Sequence, residues 1–398
     1  VIRHYNNLET SWMVQFKSIT KRIKKRTLAI GLLAFLGGFL MAHLLQMFQD
    51  GLLSFDINIE DRPSSGYESW FSSEGVMFAG KWMNGDLKKG IMITDKGVYE
   101  GGFQDLLPHG YGVMYYNNGN IYQGNWKHGK KNGIGLKINN NDTLYFGEWK
   151  KDDLVRWQSK NSKRKKAVYG IDLSKYQPSS SLEWNNFSLY SDEKGRIFPN
   201  SNIGDNYCLQ PVSFVFIKAT QGSAKDPCYE NHLRMAREYK KIIGAYHFFT
   251  ISVDINKQVI NFINTVNWQK GDLSHVLDLE SEYSNHHAYV QKLKEYGIQR
   301  MQNDALKWLE IIEKYYGVRP IVYTSEVWKN NYLKDDRFSK YDFWIARYNQ
   351  VGPFMSRWKF WQSTSTGKLN GYNRHIDIDI FNGSYHDFLN YRNTIVNL

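Results

Sequence analysis

Cysteine is nearly absent from this sequence, which contains only Cys208 and Cys228. Two thiols are too few for a disulfide scaffold or for a zinc site with four thiolate ligands. They can still form a single bridge, because both lie in the part of the chain that is predicted below to be outside the cytoplasm, where oxidation is possible. The sequence leaves two alternatives open: one disulfide, or two free thiols.

The sequence also lacks the common signatures of bound metals and nucleotides. No ligand pattern for zinc or calcium stands out, and no glycine-rich phosphate-binding loop occurs. No cofactor is therefore predicted.

Acidic residues are fewer than basic ones: the chain has 39 Asp and Glu and 51 Lys and Arg, and its net charge is +12. Such a charge suits an anionic partner: a membrane surface, a cell-wall polymer or a nucleic acid. Aromatic residues, however, make up 16% of the chain, with 27 Tyr and 13 Trp. This content favours sugar-binding clefts or aromatic-rich β repeats, so a carbohydrate polymer is predicted as the partner and a nucleic acid is not.

One long apolar run, residues 27–48, contains no full charge. At about 1.5 Å per residue it is long enough to cross a hydrocarbon core of about 30 Å. The preceding segment 1–26 ends in the basic string KRIKKR and the following segment is acidic, so the N-terminus is predicted to be cytoplasmic and the rest of the chain to lie outside the inner (cytoplasmic) membrane. A cleaved signal peptide is the alternative, but the leader is long and no small-residue cleavage site follows the run.

Residues 67–157 repeat one pattern, in which an aromatic residue, a glycine and a second aromatic residue are followed by a turn and a G-x-G-like strand. The pattern predicts a series of short β-hairpins, with glycines that allow positive φ and close strand approach. It resembles MORN repeats, which implies a single-layer hairpin array that is either a spacer or a contact surface for proteins, lipids or further copies. The basic, aperiodic stretch 158–168 is predicted to be a linker. The repeat units begin at Phe78, Tyr99, Tyr122 and Phe146.

The remaining residues, 169–395, alternate between short apolar strands and amphipathic helices. Strand, helix and strand in repeated order predict an α/β fold with a parallel sheet. The length of this segment and the polar residues at its strand ends favour a closed barrel over a small open sheet.

The string HVLDLES contains two carboxylates, Asp278 and Glu280, separated by one residue. In a strand, side chains two apart point to the same face, so these two groups are expected to lie side by side. Their repulsion raises the pKa of one of them, which is what a general acid requires near neutral pH. Glycosidic bond cleavage uses this arrangement, because one acid protonates the leaving oxygen and a negative group supports the positive centre. A surface strand or a metal site is the alternative for so short a motif.

Other predicted strand ends also carry polar or aromatic side chains. Together with HVLDLES, the strings YGIDLSKYQ, FIKATQG, GAYHFF, FWIARY, FWQSTSTG and HIDIDIFNG resemble glycoside hydrolase family 25, the lysozymes of the Chalaropsis type, from Tyr169 to about Tyr391. The residues concerned are Asp172, Lys218, Tyr246, His247, Trp344, Tyr348, Trp361, Gln362 and Asp377.

The resemblance implies a TIM-like (β/α)5(β)3 barrel and an N-acetylmuramidase that cuts between N-acetylmuramic acid and N-acetylglucosamine in peptidoglycan. It implies that Glu280 is the general acid and base, that Asp278 supports the charged centre, and that Asp172 and Asp377 complete an acidic floor. Asp278 is either a nucleophile or, as we prefer, the group that orients the acetamido group of the substrate. His247 is expected to be a hydrogen-bonded neighbour rather than a base. Sugar-binding roles are implied for Tyr246, Trp344, Tyr348, Trp361, Gln362 and Lys218, with core packing as the alternative for each aromatic residue.

Two features depart from the family pattern: Gln221 stands where Glu is usual, and residues 187–211 form an inserted polar loop. Neither removes an acidic site residue. The leading hypothesis is therefore a membrane-anchored lysozyme that acts locally on the cell wall, for example to make room for a trans-envelope assembly contacted by the repeats. The alternatives are an inactive glycan-binding adaptor whose repeats recruit partners and a lipid-binding scaffold.

Overall fold

The computed structural model describes most of the chain after residue 61. The predicted membrane span 27–48 and nearly all of the linker 158–168 lie outside the described residues. Among the residues that are described, no helix is both long and apolar enough to cross a membrane. The described ranges are 62–157, 167–192, 196–198, 203, 207–282, 285–349, 352–355 and 357–394.

The chain divides into two compact units, Val1–Ile121 and Tyr122–Leu398. The division falls within the repeat region, whereas the sequence pattern changes later, at the basic stretch 158–168. Val1–Ile121 contains the first strands of the repeats. Tyr122–Leu398 contains the later repeat strands and the barrel described below.

The repeat region forms a sheet in which the strands follow one another in chain order. Neighbouring strands with described pairing are antiparallel, as the repeated hairpin pattern predicts. The strands are β1 Gly66–Phe71, β2 Met77–Met83, β3 Asp86–Thr94, β4 Gly97–Gln104, β5 Leu107–Tyr116, β6 Ile121–Lys127, β7 Lys130–Ile138, β8 Leu144–Lys150 and β9 Asp153–Trp157.

Two-residue turns join alternate strand pairs of this sheet, and both residues of each turn have positive φ. The turn between β2 and β3 is Asn84-Gly85, with φ of 53° and 76°. The turn between β4 and β5 is Asp105-Leu106, where the non-glycine residues have φ of 53° and 61°. Positive φ at both positions defines the turn whose twist matches that of paired strands, so these turns fix the hairpin register.

The repeated glycines are explained by the tyrosine that precedes them. The ring of Tyr99 lies across the cross-strand pair Gly101 and Gly112, and its hydroxyl donates to the carbonyl oxygen of Gly102 at 3.0 Å. A Cβ on Gly112 would lie 2.3 Å from the tyrosine oxygen, so only glycine leaves room for the ring. Tyr122 covers Gly124 and Gly135 in the same way.

The second sheet closes into a barrel. Seven of the described barrel strands, among them β12 Cys208–Gln221, are parallel to one another. The eighth, β19 His375–Phe381, is antiparallel to both of its neighbours, β10 Val168–Leu173 and β18 Trp358–Lys368. Pairing of β10 with both β12 and β19 closes the ring. The eight strands are β10 Val168–Leu173, β12 Cys208–Gln221, β14 Ile242–Phe248, β15 Val276–Asp278, β16 Ile321–Ser325, β17 Asp342–Ala346, β18 Trp358–Lys368 and β19 His375–Phe381, and the short strands β11 Ser188–Ser191 and β13 Ala224–Lys225 pair with β12.

Helices connect several of the barrel strands and cover their outer faces. Local sequence sets their ends. At the start of the helix Ile255–Thr265 the Asp254 side chain accepts from the backbone N–H groups of Asn256 and Lys257. At the end of the helix Ile298–Tyr316, Gly317 adopts φ of 69°. The helices are α1 Tyr229–Glu238, α2 Ile255–Thr265, α3 His286–Tyr296, α4 Ile298–Tyr316, α5 Glu326–Tyr332 and α6 Tyr385–Thr394.

Alternation along the barrel strands separates two apolar layers. Val215 and Ile217 of β12 face the helices and belong to the main core. Phe214 and Phe216 of the same strand face the barrel interior, where their rings pack with Phe360. These rings fill part of the barrel interior.

The structure does not join the two cysteines in the disulfide that the sequence left open. Cys208 begins β12, and Cys228 directly precedes α1, beyond the opposite end of that strand. The 14 residues of β12 extend over roughly 40 Å, whereas bridged Cα atoms are usually within about 7 Å.

Candidate active site

The predicted site residues meet at the carboxyl ends of the parallel barrel strands. Asp278 is the last residue of β15, and Glu280 follows two positions later. Asp278 lies opposite Tyr323 of β16 in the strand register. Asp172 and Lys218 stand near the ends of β10 and β12. Since these strands run in the same direction, their ends form one edge, and the predicted residues are brought together there.

Asp278 and Glu280 differ in exposure. Asp278 is almost fully buried, whereas Glu280 is half-buried. Burial raises the pKa of Glu280 to about 7, the nearby Lys218 opposes the rise, and Asp377 adds to it. Burial also raises the pKa of Asp278 well above its usual value, and the charge of Glu280 adds to that shift. Both shifts favour the protonated forms, so the pair holds its protons to a higher pH than two exposed carboxyl groups would.

One oxygen of Asp278 has no hydrogen-bond partner. This atom, Oδ1, is buried and contacts no donor among the described residues. A buried acceptor without a donor costs about 1–3 kcal/mol. The position is therefore suited to a hydrogen-bond donor supplied by a bound molecule.

Gln362 organises a hydrogen-bonded chain below the carboxylates. Its Oε1 accepts from the hydroxyls of Tyr323 at 2.8 Å and Tyr348 at 2.9 Å. Its Nε2 donates to Asp172 Oδ2 at 2.8 Å. The two tyrosine donors fix the orientation of the amide, so the amide must present its NH₂ group to Asp172. Gln362 is buried and acts on Asp172 from within the barrel.

Asp379 is a carboxyl group of this site that the sequence analysis missed. It lies two residues after Asp377 on β19, is fully buried, and accepts from Trp344 Nε1–H at 2.8 Å. Burial raises its pKa well above the usual value, and the charges of Asp172 and Asp377 add to the shift. Burial also raises the pKa of Asp377 to about 6. The alternation in HIDIDIF was the available signal, since it places both aspartates on one face.

Lys218 supplies positive charge to this acidic group. Its Nζ donates to Gln221 Oε1 at 2.7 Å and lies 4.5 Å from the centre of the Phe248 ring. Burial lowers the pKa of Lys218, and the charge of Asp278 is the largest effect that opposes it. Gln221, the departure from the family pattern, is neutral. It orients the ammonium group without neutralising its charge toward Asp278 and Glu280.

The four predicted sugar-contacting aromatic residues occupy different positions. Trp344 is only 2% exposed, stacks on Phe216 at 4.3 Å and donates to Asp379, so its ring is part of the barrel interior. Tyr246 is also buried and meets the edge of Trp344. Both placements agree with the core-packing alternative. Tyr246 also lies near the site carboxyl groups, because the charges of Asp172 and Asp278 add to the rise in its pKa that burial causes. Contact of either ring with a substrate stays a prediction. Tyr348, in contrast, is 58% exposed.

Trp361 lies on the opposite side of β18 from Gln362, because the two residues are adjacent in the strand. It is partly buried, and its Nε1–H donates to the carbonyl oxygen of Arg347 at 2.8 Å. Trp361 thus supports the segment that follows β17 and does not face the carboxylates.

His247 is a buried hydrogen-bonded residue, as the sequence analysis expected. Its Nδ1 lies 2.6 Å from Thr220 Oγ1, and its Nε2 lies 2.9 Å from Gln258 Oε1. Burial lowers the pKa of His247 to about 4. The ring is therefore neutral at pH 7, and both nitrogens are engaged.

The arrangement can perform acid–base chemistry on a bond whose leaving oxygen must be protonated. A half-buried acid with a pKa of about 7 can donate a proton to a leaving oxygen and take one back. The adjoining carboxyl group can accept a hydrogen bond and stabilise a positive centre. Among the described residues, no group of three or more His, Cys, Asp or Glu is arranged to hold a metal ion.

Comparison with known proteins identifies the family. The model of the family described as "Glycosyl hydrolases family 25" matches residues 171–372, a little over half of the chain. The chain belongs to glycosyl hydrolase family 25. It is a glycoside hydrolase of the lysozyme type.

Several known proteins are similar to this chain. Uncharacterized protein YegX of Escherichia coli K12 is 30% identical over 220 residues, which are 54% of this chain and 70% of YegX. Lysozyme M1 of Streptomyces globisporus is 27% identical over 232 residues, 54% of this chain and 68% of that protein. A family 25 glycosyl hydrolase from Bacillus anthracis, whose structure is known, is 27% identical in sequence with a TM-score of 0.45. The match covers 59% of this chain and 97% of the Bacillus anthracis chain.

Proposed function

We propose that this enzyme is a peptidoglycan hydrolase, an N-acetylmuramidase that cleaves between N-acetylmuramic acid and N-acetylglucosamine. Membership of family 25 supports the proposal, as does the similarity to a relative named as a lysozyme. The observation that carries it is the pair of carboxyl groups at the end of β15, where half-buried Glu280 has a pKa of about 7 beside buried Asp278.

In the proposed mechanism Glu280 is the general acid and then the general base. Its raised pKa leaves a large share of molecules protonated near pH 7, as proton transfer to the glycosidic oxygen requires. After the leaving sugar departs, the carboxylate takes a proton from the attacking water. Lys218 keeps the pKa of Glu280 from rising further.

Asp278 is proposed to orient the acetamido group of the substrate. Its unpartnered Oδ1 can accept the N–H of that group, and the acetamido oxygen can then attack the anomeric carbon. Asp172 and Asp377 form the acidic floor, and Gln362 positions Asp172. This assignment favours assistance by the substrate over a covalent carboxylate nucleophile.

Release of fragments from purified sacculi tests the acid–base assignment. Glu280→Gln is expected to abolish release, because the amide cannot donate a proton, while circular dichroism remains that of the wild type. Asp278→Asn is expected to slow release strongly without a matching loss of sacculus binding. Undiminished release by the Glu280 variant would refute the assignment. Tight binding by the wild-type protein with no release would favour the glycan-binding adaptor instead.

We further propose that the chain is anchored in the inner membrane by residues 27–48, with segment 1–26 in the cytoplasm and the enzyme domain 169–395 on the outer side. The charge asymmetry about this run supports the orientation. Protease treatment of spheroplasts should degrade the enzyme domain and spare an N-terminal tag. Protection of the enzyme domain would contradict the orientation.

The hairpin sheet is proposed to be a MORN array and the barrel to be of the TIM-like (β/α)5(β)3 type. The regular placement of Tyr99 over Gly101 and Gly112 supports the first proposal, and the seven parallel strands with one antiparallel strand support the second.

We propose that the array contacts a protein partner of the cell envelope. Cross-linking in membranes, compared between the full chain and a variant lacking 67–157, tests this, and identical adduct patterns would contradict it.

A further inference from the structure

Phe354 is the most exposed large apolar side chain among the described residues, at 77%. An exposed aromatic residue is ordinary by itself. Phe354 differs because its ring is held in place: the guanidinium carbon of Arg347 lies 3.8 Å from the ring centre. One face of the ring is therefore covered by a cation, and the high exposure leaves the other face open.

A network of bonds fixes this stack. Glu326 accepts from Arg347 Nη1 at 2.8 Å through one oxygen and from the backbone N–H of Phe354 at 3.0 Å through the other. The backbone of Arg347 donates to the carbonyl oxygen of Gln362 at 3.0 Å and accepts from Trp361. The side chains of Arg347 and Glu326 are mostly buried, at 17% and 22% exposed. The ring is thus positioned before any ligand binds, which lowers the entropic cost of binding.

The stack lies at the same edge of the barrel as the carboxylates. Glu326 directly follows β16 and Arg347 directly follows β17, while Asp278 ends β15, and these three strands are consecutive neighbours. Neighbouring strands are about 4.8 Å apart, so the base of the stack is on the order of 10 Å from Asp278. Exposed Tyr348, the next residue after Arg347, connects to Asp172 through Gln362.

We propose that Phe354 is a sugar-stacking platform of the substrate groove. Its ring stacks on the face of a pyranose ring of the glycan strand, a few sugar units away from the cleaved bond. This inference rests on the proposed muramidase function. Flat apolar rings suit pyranose faces, and the distance from Asp278 is one that a short run of sugar rings spans. The Phe354 ring is exposed, whereas the rings of Trp344 and Tyr246 are buried.

Binding of peptide-free glycan strands tests the platform. In a Glu280→Gln background of the full chain, Phe354→Ala is expected to raise the dissociation constant roughly 2- to 10-fold, and Phe354→Trp is expected to retain binding. In the active enzyme, Phe354→Ala is expected to raise KM for long strands with kcat within about twofold. Tyr315→Ala is the matched control, because Tyr315 is an aromatic residue 61% exposed near the end of α4, at the opposite edge of the barrel.

The outcomes separate this inference from the proposed function. Equal strand binding by Phe354→Ala and its parent, with hydrolysis by the wild type intact, would overturn the platform alone. If Phe354→Ala weakens strand binding no more than Tyr315→Ala does, the platform would be overturned as well. Absence of both strand binding and hydrolysis in the wild type would overturn the proposed function and the platform with it.

Discussion

Replacing Glu280 with Gln is expected to stabilise the folded protein at pH 8 and to leave its stability near pH 4.5 almost unchanged. Burial raises the pKa of Glu280 from 4.5 to about 7. Because this pKa is higher in the folded than in the unfolded state, folding favours the protonated form. The favourable contribution is fully present below about pH 4.5 and is lost as the pH rises through about 7.

The size of the effect follows from the pKa difference. The rise of the pKa from 4.5 to about 7 corresponds to about 3 kcal/mol of destabilisation of the wild type above pH 7, which the neutral amide avoids. For a domain of this size, 1 kcal/mol changes Tm by roughly 2–4 °C. The variant is therefore expected to melt roughly 6–12 °C above the wild type at pH 8, with the difference vanishing toward pH 4.5.

Differential scanning calorimetry from pH 4.5 to pH 8.5 measures this dependence. Glu295→Gln, which changes an exposed glutamate on α3, is the matched control and should leave Tm almost unchanged at every pH. A Glu280 variant that melts at or below the wild-type temperature at pH 8 would refute the account of this site. A stability gain that does not depend on pH would refute it too.

Three further predictions concern neighbouring groups. Lys218→Met removes the charge that lowers the pKa of Glu280, so the alkaline limb of the pH–rate profile should move to higher pH, and a move to lower pH would contradict this. Asp379→Leu leaves the buried Trp344 N–H without an acceptor, so it should lower the free energy of unfolding by about 1–3 kcal/mol, measured by chemical denaturation. Asp379→Asn keeps an acceptor and should lower it much less. Equal losses in the two variants would show that the bond has no role. Under denaturing conditions without reductant, an alkylating reagent should add to both cysteines, and failure to add before reduction would reveal a disulfide.

Much of the barrel and its carboxylate pair could be predicted from the sequence. The alternation of strands and helices indicated a closed parallel sheet. The spacing of Asp278 and Glu280 predicted that both lie on one strand, whereas β15 ends at Asp278 and Glu280 follows in the loop. These features depend on local periodicity, which a single sequence displays directly. The hairpin repeats were predictable for the same reason, since each tyrosine requires glycines at fixed positions.

The depth of a side chain in the barrel could not be predicted. Trp344 and Tyr348 come from the same string, yet Trp344 is buried against Phe216 while Tyr348 is exposed. Strand periodicity shows which residues share a face of the sheet. It does not show at what depth along the barrel axis the packed interior ends and exposed side chains begin. Asp379 was not predicted because the motif pointed only to Asp377. Phe354 was not predicted because its position depends on a long-range hydrogen bond to Glu326.

The identity of the sugar at the new reducing end tests the central claim most directly. Sacculi are digested with the full-length enzyme, and the products are reduced with borohydride and analysed by mass spectrometry. The account predicts fragments that end in reduced N-acetylmuramic acid for the wild type and none for Glu280→Gln. Fragments that end in reduced N-acetylglucosamine, or equal release by the variant, would contradict it.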